Sequence, residues 1–211
     1  MKSRTFGGWD KTTKKAPEGY KIAFAKEEEF LLENVPKDSV VLDIGCGNGR
    51  ILKLLATHVK KIIGIDNDPN AIESSKEALK DFPNVEIYFE DAEKMHFDDK
   101  SFDVVVCAGA TPVNFGDTEE RIYSEIKRVL KNEGLFLTSV YNEDALDDRI
   151  ITYDNYYEGD YEVKEGGLVV FKDFVSYQYT KEQITEILEN NGLNILEIIK
   201  QGIFYIVKAK K

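Results

Sequence analysis

The sequence VVLDIGCGNGR, residues 40–50, decides the fold of this chain. Its first half is an apolar run interrupted only by Asp43, which is typical of a strand buried on both faces of a sheet. The glycines from Gly45 to Gly49 predict a tight turn, because glycine adopts positive φ and lets a ligand approach the backbone closely. Helical spacing follows at residues 51–55. The segment therefore predicts the strand, turn and helix that begin a strand–helix–strand unit.

The same alternation continues along the chain. Further apolar runs predict buried strands at 61–66, 85–89, 102–108 and 134–140, with two closing strands at 194–199 and 203–208. Capping patterns predict helix starts at Asp68-Pro69, at Asp117 with Glu120, and at Thr180 with Gln183. Strands that alternate with helices require right-handed crossovers. The sequence thus predicts an α/β fold with a doubly wound, mostly parallel sheet.

The length of 211 residues predicts a single domain, residues 1–211, with two segments outside the alternation. Residues 1–35 form an N-terminal segment, helical from about residue 24, that we interpret as a lid. Residues 141–180 contain seven of the eleven tyrosines and a Gly166-Gly167 pair, which predicts a β-hairpin within a small β-rich insert.

The composition excludes several classes of protein. A net charge of −11 argues against a nucleic-acid partner, because phosphate contacts need clustered Lys and Arg. Two distant cysteines predict no disulfide framework, and two distant histidines predict no metal site. No segment approaches the ~20 apolar residues of a membrane span, and the start of the chain lacks the apolar run of a signal peptide. We therefore expect a cytoplasmic protein with no membrane partner.

The glycine turn admits two cofactor classes. A dinucleotide site requires G-x-G-x-x-G, but Arg50 stands at the sixth position of this turn. Asp43 would also place a negative charge near a diphosphate. A carboxylate suits a ligand that carries an ammonium and a sulfonium, so the residues favour an aminoacyl nucleoside, and an NAD-dependent oxidoreductase remains the alternative.

Residues 41–49 resemble motif I of the class I S-adenosylmethionine-dependent methyltransferases, and the resemblance extends over residues 38–140. It implies a Rossmann-like, seven-stranded sheet in which the last strand inserts between the fifth and sixth. S-adenosyl-L-methionine would be the cofactor. The glycine turn and Asp43 would hold the methionine moiety. Asp66, after the second strand, would bind the ribose, and Asp91, after the third, would bind adenine. The implied cofactor-binding residues are Asp43, Gly45, Cys46, Gly47, Asn48, Gly49, Asp66, Asn67, Asp91, Ala92, Cys107 and Ala108.

The predicted function is transfer of a methyl group to N, O or C of a small-molecule acceptor. Such a displacement requires mainly positioning and exclusion of water, with a base only if the acceptor arrives protonated. We place the acceptor between the N-terminal segment and the insert, which makes Tyr20, Tyr141 and Tyr153 the candidate catalytic residues. The alternative for these tyrosines is packing of the insert against the sheet.

Other interpretations remain open beside this one. The chain could be a non-catalytic S-adenosylmethionine-binding module, or an aminopropyl transferase, although no clear set of extra acids marks a polyamine channel. Thr111-Pro112-Val113-Asn114 does not match the motif of nucleic-acid amino-methyltransferases. Cys107 is expected to be a buried structural thiol. The run from Lys26 to Glu29 is expected to be a solvated helix face.

Overall fold

The computed structural model describes residues 16–109, 111–157, 160–172 and 175–211. The first fifteen residues of the predicted lid segment lie outside these ranges. In chain order, the helices and strands are α1 (Glu18–Asn34), β1 (Val40–Ile44), α2 (Arg50–Ala56), β2 (Lys61–Asp66), α3 (Pro69–Ala78), β3 (Val85–Phe89), β4 (Phe102–Cys107), α4 (Glu119–Val129), β5 (Leu130–Tyr141), α5 (Leu146–Tyr157), β6 (Tyr161–Lys164), β7 (Leu168–Phe171), β8 (Val175–Ser176), α6 (Lys181–Asn190), β9 (Asn194–Gln201) and β10 (Phe204–Lys210).

The main sheet has seven strands in the order β3-β2-β1-β4-β5-β10-β9. Strands β1 to β5 pair in parallel, whereas β10 is antiparallel to both β5 and β9. The predicted doubly wound, mostly parallel sheet is confirmed, as is the insertion of the last strand. Strand order reverses between β1 and β4, and ligands of open α/β sheets bind in the crevice beyond such a switch point.

The predicted caps are confirmed at two of three helices. Asp68 accepts a hydrogen bond from Asn70 N at 2.9 Å, with Pro69 as the first helical residue of α3. Thr180 and Gln183 form a reciprocal capping box on α6. The box predicted from Asp117 and Glu120 is wrong, because a 3-10 turn at residues 116–118 leads into α4 and the N-cap residue is Thr118, which makes no side-chain cap hydrogen bond.

The insert has more helix than we expected. Strands β6 and β7 form the predicted hairpin around Gly166, where φ is +73°, and β8 completes a three-stranded antiparallel sheet. The preceding helix α5 is missing from the prediction. Its fully buried stripe contains Arg149, Thr152 and Tyr153. Two of these three residues are polar, and they obscure the helical spacing of Leu146, Ile150 and Tyr153, which pack against β7.

The Arg149 side chain anchors the insert. It is fully buried, and its guanidinium donates to Gly167 O, Gln178 Oε1, Ser176 O and Ser176 Oγ at 2.7–3.0 Å. The Tyr141 ring lies below it, 4.8 Å from the guanidinium carbon to the ring centroid. One arginine thus connects α5 with the turn between β6 and β7, with β8 and with the end of β5.

No helix in the described ranges is both long enough and apolar enough to cross a bilayer.

Candidate functional site

A cleft of about 370 Å³ lies at the carboxyl ends of β1 and β4, beside the switch in strand order. The glycine turn after β1 and the residues after β4 form one part of this cleft, and residues of α1, α2 and the end of α3 form the rest. The lining residues are Phe24, Asp43, Gly45, Cys46, Gly47, Asn48, Gly49, Arg50, Ile51, Lys53, Ala78, Leu79, Ala108 and Gly109.

Asp43 is the buried acid of this cleft. Its side chain is 2% exposed, and among the described residues its Oδ2 has no hydrogen-bond partner. Burial raises its pKa well above the usual range; the Arg50 guanidinium opposes this, and the neighbouring Asp66 and Glu27 add to it. A carboxylate oxygen without a partner beside a cleft can accept from a ligand donor, and a cationic donor would suit it best.

The glycine turn is held against β2 by its backbone. Gly45 N and Cys46 N both donate to Ile65 O, at 2.9 and 3.0 Å. At Gly49 φ is +87°, and a Cβ there would lie 2.8 Å from Leu79 Cδ1. The third glycine is therefore required both by its conformation and by close packing against α3.

Asp66 supports the turn from the end of β2. Its Oδ2 accepts from Gly47 N at 2.8 Å, and its Oδ1 accepts from Asp68 N at 2.9 Å. Burial raises its pKa, although these backbone donors act in the opposite direction. Each carboxylate oxygen has a second lone pair, so Asp66 retains acceptor capacity for ribose hydroxyls.

The other predicted cofactor residues are less closely grouped. Asn67 and Asp91-Ala92 are partly buried and lie after β2 and β3, and Asp91 Oδ1 accepts from Glu93 N at 3.0 Å. Ala108 lines the cleft, whereas Cys107 is fully buried and does not. Burial raises the pKa of the Cys107 thiol, as expected for an inert structural cysteine. The cofactor assignments of these residues stay predictions.

Glu27 corrects the interpretation of residues 26–29 as a solvated helix face. Its side chain is 1% exposed and accepts hydrogen bonds from Gly109 N at 2.8 Å, from Ser139 Oγ and from the Arg50 guanidinium. The spacing of Ala23, Glu27, Phe30 and Leu31 on one buried stripe was the signal that could have revealed it.

Arg50 joins this helix to the glycine turn. Its guanidinium pairs with Glu27 and, at 3.1 Å, with Glu28, and it stacks 4.7 Å from the centroid of the Phe24 ring. Arg50 stands where a dinucleotide motif would have its last glycine, and here it forms part of the wall of the cleft.

The three candidate catalytic tyrosines are packed inside the protein. Tyr20, Tyr141 and Tyr153 are each at most 2% exposed, and none lines the cleft. The Tyr20 and Tyr141 hydroxyls are 2.7 Å apart, and the Tyr153 hydroxyl lies 2.8 Å from Ser176 Oγ. Burial raises the pKa of both Tyr20 and Tyr141. These contacts favour packing of the insert, and a catalytic role stays a prediction.

We expect Tyr20→Phe and Tyr141→Phe each to reduce the free energy of unfolding by about 1–2 kcal/mol, because each leaves a buried hydroxyl without its partner. The double variant should lose less than the sum, since the two changes remove one shared bond. Urea unfolding measures all three values, with Tyr88→Phe as an exposed control. Strict additivity would contradict the shared bond.

Among the residues that the structure describes, no group of three or more His, Cys, Asp or Glu side chains could hold a metal ion.

Comparisons with known proteins agree with this geometry. A family model described as a methyltransferase domain matches residues 36–192, more than half of the chain. A sterol 24-C-methyltransferase of Gibberella zeae is 34% identical over 151 residues, which are 65% of this chain and 39% of that protein. A probable ribosomal RNA small subunit methyltransferase A of Methanococcus aeolicus is 38% identical over 73 residues, 35% of this chain and 27% of that one. The chain spans about half the length, or less, of the curated relatives it matches.

A solved structure shares the fold. The 1,6-didemethyltoxoflavin-N1-methyltransferase of Burkholderia thailandensis, with bound 1,6-didemethyltoxoflavin and S-adenosylhomocysteine, superimposes with a TM-score of 0.70 at 16% identity, over 90% of this chain and 78% of that one. With the strand order, the glycine turn and the buried acid already in place, the family match is sufficient: the chain belongs to the class I S-adenosylmethionine-dependent methyltransferases.

Proposed function

We propose that this protein transfers a methyl group from S-adenosylmethionine to a small-molecule acceptor. The observation that carries the proposal is Asp43, a buried carboxylate with an unpartnered oxygen in a cleft beside the glycine turn. The α-ammonium of the cofactor is a donor that this oxygen lacks, and a diphosphate would meet repulsion there. The residues therefore fit S-adenosylmethionine better than NAD.

The residues of this chain bind and orient rather than react. When bound, the cofactor supplies an activated methyl group on its sulfonium. Asp43 and the glycine turn would hold the methionine moiety, and Asp66 would hold the ribose. Phe24 of α1 and Arg50 of α2 together cover one side of the cleft, which helps to exclude water.

Two observations support a small acceptor. The sterol and toxoflavin relatives are named for small molecules, and a net charge of −11 opposes binding to a polyanion. The ribosomal RNA relative supports the alternative of a nucleic-acid acceptor, although it matches only 35% of this chain.

The test has two stages. Calorimetry with S-adenosylmethionine, S-adenosylhomocysteine and NAD should show binding of the first two only. A panel of amines, phenols, carboxylic acids, sterols and short RNA with methyl-labelled cofactor should then show transfer to a small molecule. Tight NAD binding alone would support an oxidoreductase, transfer to RNA alone would contradict the small acceptor, and cofactor binding without any transfer would support a binding module.

Asp66→Ala should weaken cofactor binding by about 1–3 kcal/mol, because it removes charge-assisted hydrogen bonds to the ribose. Asp66→Asn should lose less, since one amide oxygen can still accept from Gly47 N. Calorimetric Kd values measure both, with the exposed Asp81→Ala as control. Wild-type affinity in the Asp66→Ala variant would mean that the ribose assignment is wrong.

A further inference from the structure

The Glu27 carboxylate connects three separate segments at the carboxyl ends of the strands. Arg50 begins α2, Gly109 follows β4, and Ser139 lies in β5. All three groups bond to the same buried carboxylate, which comes from α1. A buried acid is costly unless it is paired and hydrogen-bonded, and Glu27 satisfies both conditions.

The partners of Glu27 require that both of its side-chain oxygens act as hydrogen-bond acceptors. The Gly109 N–H and the Arg50 guanidinium can only donate, and they contact different oxygens, Oε1 and Oε2 respectively. A glutamine at this position would direct its NH₂ group at one of these donors. The contact set is therefore specific for a carboxylate and not merely for a side chain of that size.

Two of these partners form the wall of the cofactor cleft. Arg50 and Gly109 both line it, and Phe24, which lies one helical turn before Glu27, lies under the Arg50 guanidinium. Gly109 has a φ of +66°, so the peptide that Glu27 holds is in a conformation that few other residues adopt. The shape of this wall therefore depends on a residue that is itself outside the cleft lining.

We propose that Glu27 is a positioning residue of the cofactor site. It fixes Arg50 and the Gly109 peptide against the end of the cleft at Asp43, and it thereby couples the docking of α1 to cofactor binding. This inference rests on the proposed function, because it assumes that the cleft binds S-adenosylmethionine.

The chain offers closely matched control variants. Glu28 is the next residue and pairs with the same guanidinium, but its side chain is 40% exposed and no described bond joins it to Gly109 or Ser139. Glu29 is exposed and pairs with Lys26. Substitutions Glu27→Gln, Glu28→Gln and Glu29→Gln therefore make the same chemical change at three neighbouring positions with different contacts.

Calorimetry with S-adenosylmethionine and S-adenosylhomocysteine tests the coupling. We expect Glu27→Gln to raise both Kd values at least tenfold, Glu28→Gln less than threefold, and Glu29→Gln not at all. Ser139→Ala, which removes one donor and keeps the carboxylate, should raise them severalfold and provides a second variant if Glu27→Gln unfolds. An Arg50→Met background should remove most of the effect of Glu27→Gln, because the two residues act together.

Hydrogen exchange of the ligand-free protein tests the positioning separately. The Gly109 amide and the amides of α1 should exchange at least tenfold faster in Glu27→Gln than in Glu28→Gln. Suppose that the wild type binds the cofactor and that the Glu27→Gln and Ser139→Ala variants, both folded, bind it as tightly as the wild type does. Glu27 then has only a structural role and the inference is overturned. If the wild type binds neither nucleoside, the proposed function fails and the coupling fails with it, even where exchange at Gly109 responds as expected.

Discussion

Asp43→Asn should raise the Kd for S-adenosylmethionine more than a hundredfold and leave the ligand-free protein at least as stable as the wild type. The carboxylate oxygen without a partner has its strongest interaction with a cationic ligand, so its loss should cost about 3 kcal/mol of binding free energy. In the absence of ligand the same charge is buried at a cost, and asparagine removes that charge. Calorimetry and thermal unfolding measure the two effects.

The pH dependence of the two properties should have opposite signs. Burial raises the pKa of Asp43, so protonation of this residue stabilises the ligand-free fold. This stabilisation is complete below the unfolded pKa of about 3.9, and it is lost as pH rises through the pKa of the folded state. Binding of a cation improves over the same rise, because the carboxylate becomes ionised. Both dependences should be weaker in Asp43→Asn.

Asp103 is a suitable control, since it is an acid on the adjacent strand β4 that accepts from Val40 N and Lys131 Nζ. Burial acts to raise the pKa of Asp103, but these two bonds outweigh it and the pKa is lowered. Asp103→Asn should therefore lose some stability above about pH 4 and retain cofactor affinity. Equal affinity of Asp43→Asn and wild type would refute the assignment of Asp43.

Arg149→Met should reduce the free energy of unfolding by about 4 kcal/mol and the melting temperature by about 10 °C. Methionine fills much of the volume but leaves the oxygen atoms of Gly167, Ser176 and Gln178 without their donor in a buried site. Because those oxygens belong to the insert, its small sheet should lose protection first. Thermal unfolding together with hydrogen exchange of residues 161–176 measures both effects.

Arg121→Met provides the comparison. Arg121 pairs with Glu93 on the surface with 59% of its side chain exposed, and such pairs contribute little. Its loss should therefore leave the melting temperature nearly unchanged. If Arg149→Met is equally mild, the guanidinium network does not anchor the insert.

The sequence predicts the parts of the fold in which the residue type itself indicates whether a position is buried or lies in a tight turn. The apolar runs of β1, β2 and β4 favour strands buried on both faces, and the glycine turn favours a close approach of backbone to backbone or ligand. The position of β10 between β5 and β9 came from family resemblance, because an apolar strand does not specify its neighbour.

The parts that sequence reasoning missed are those in which a polar residue occupies a buried position. Glu27 looked solvated because it stands within a run of charges, and α5 was missed because its buried stripe contains Arg149. In both cases the partners lie far along the chain, at Gly109 and Ser139 for Glu27 and at Ser176 for Arg149. A single sequence does not state such pairings, and only the assembled fold reveals them.

The antiparallel strand β10 also has a consequence for biosynthesis. Tyr141, at the end of β5, pairs with Phe204, so the whole insert and α6 are translated before β5 acquires its second neighbour. During that interval the nascent chain presents a long, mostly apolar strand with unpaired amides, a recognised hazard for intermolecular association. A fragment that stops before residue 204 should accordingly need a chaperone or form aggregates.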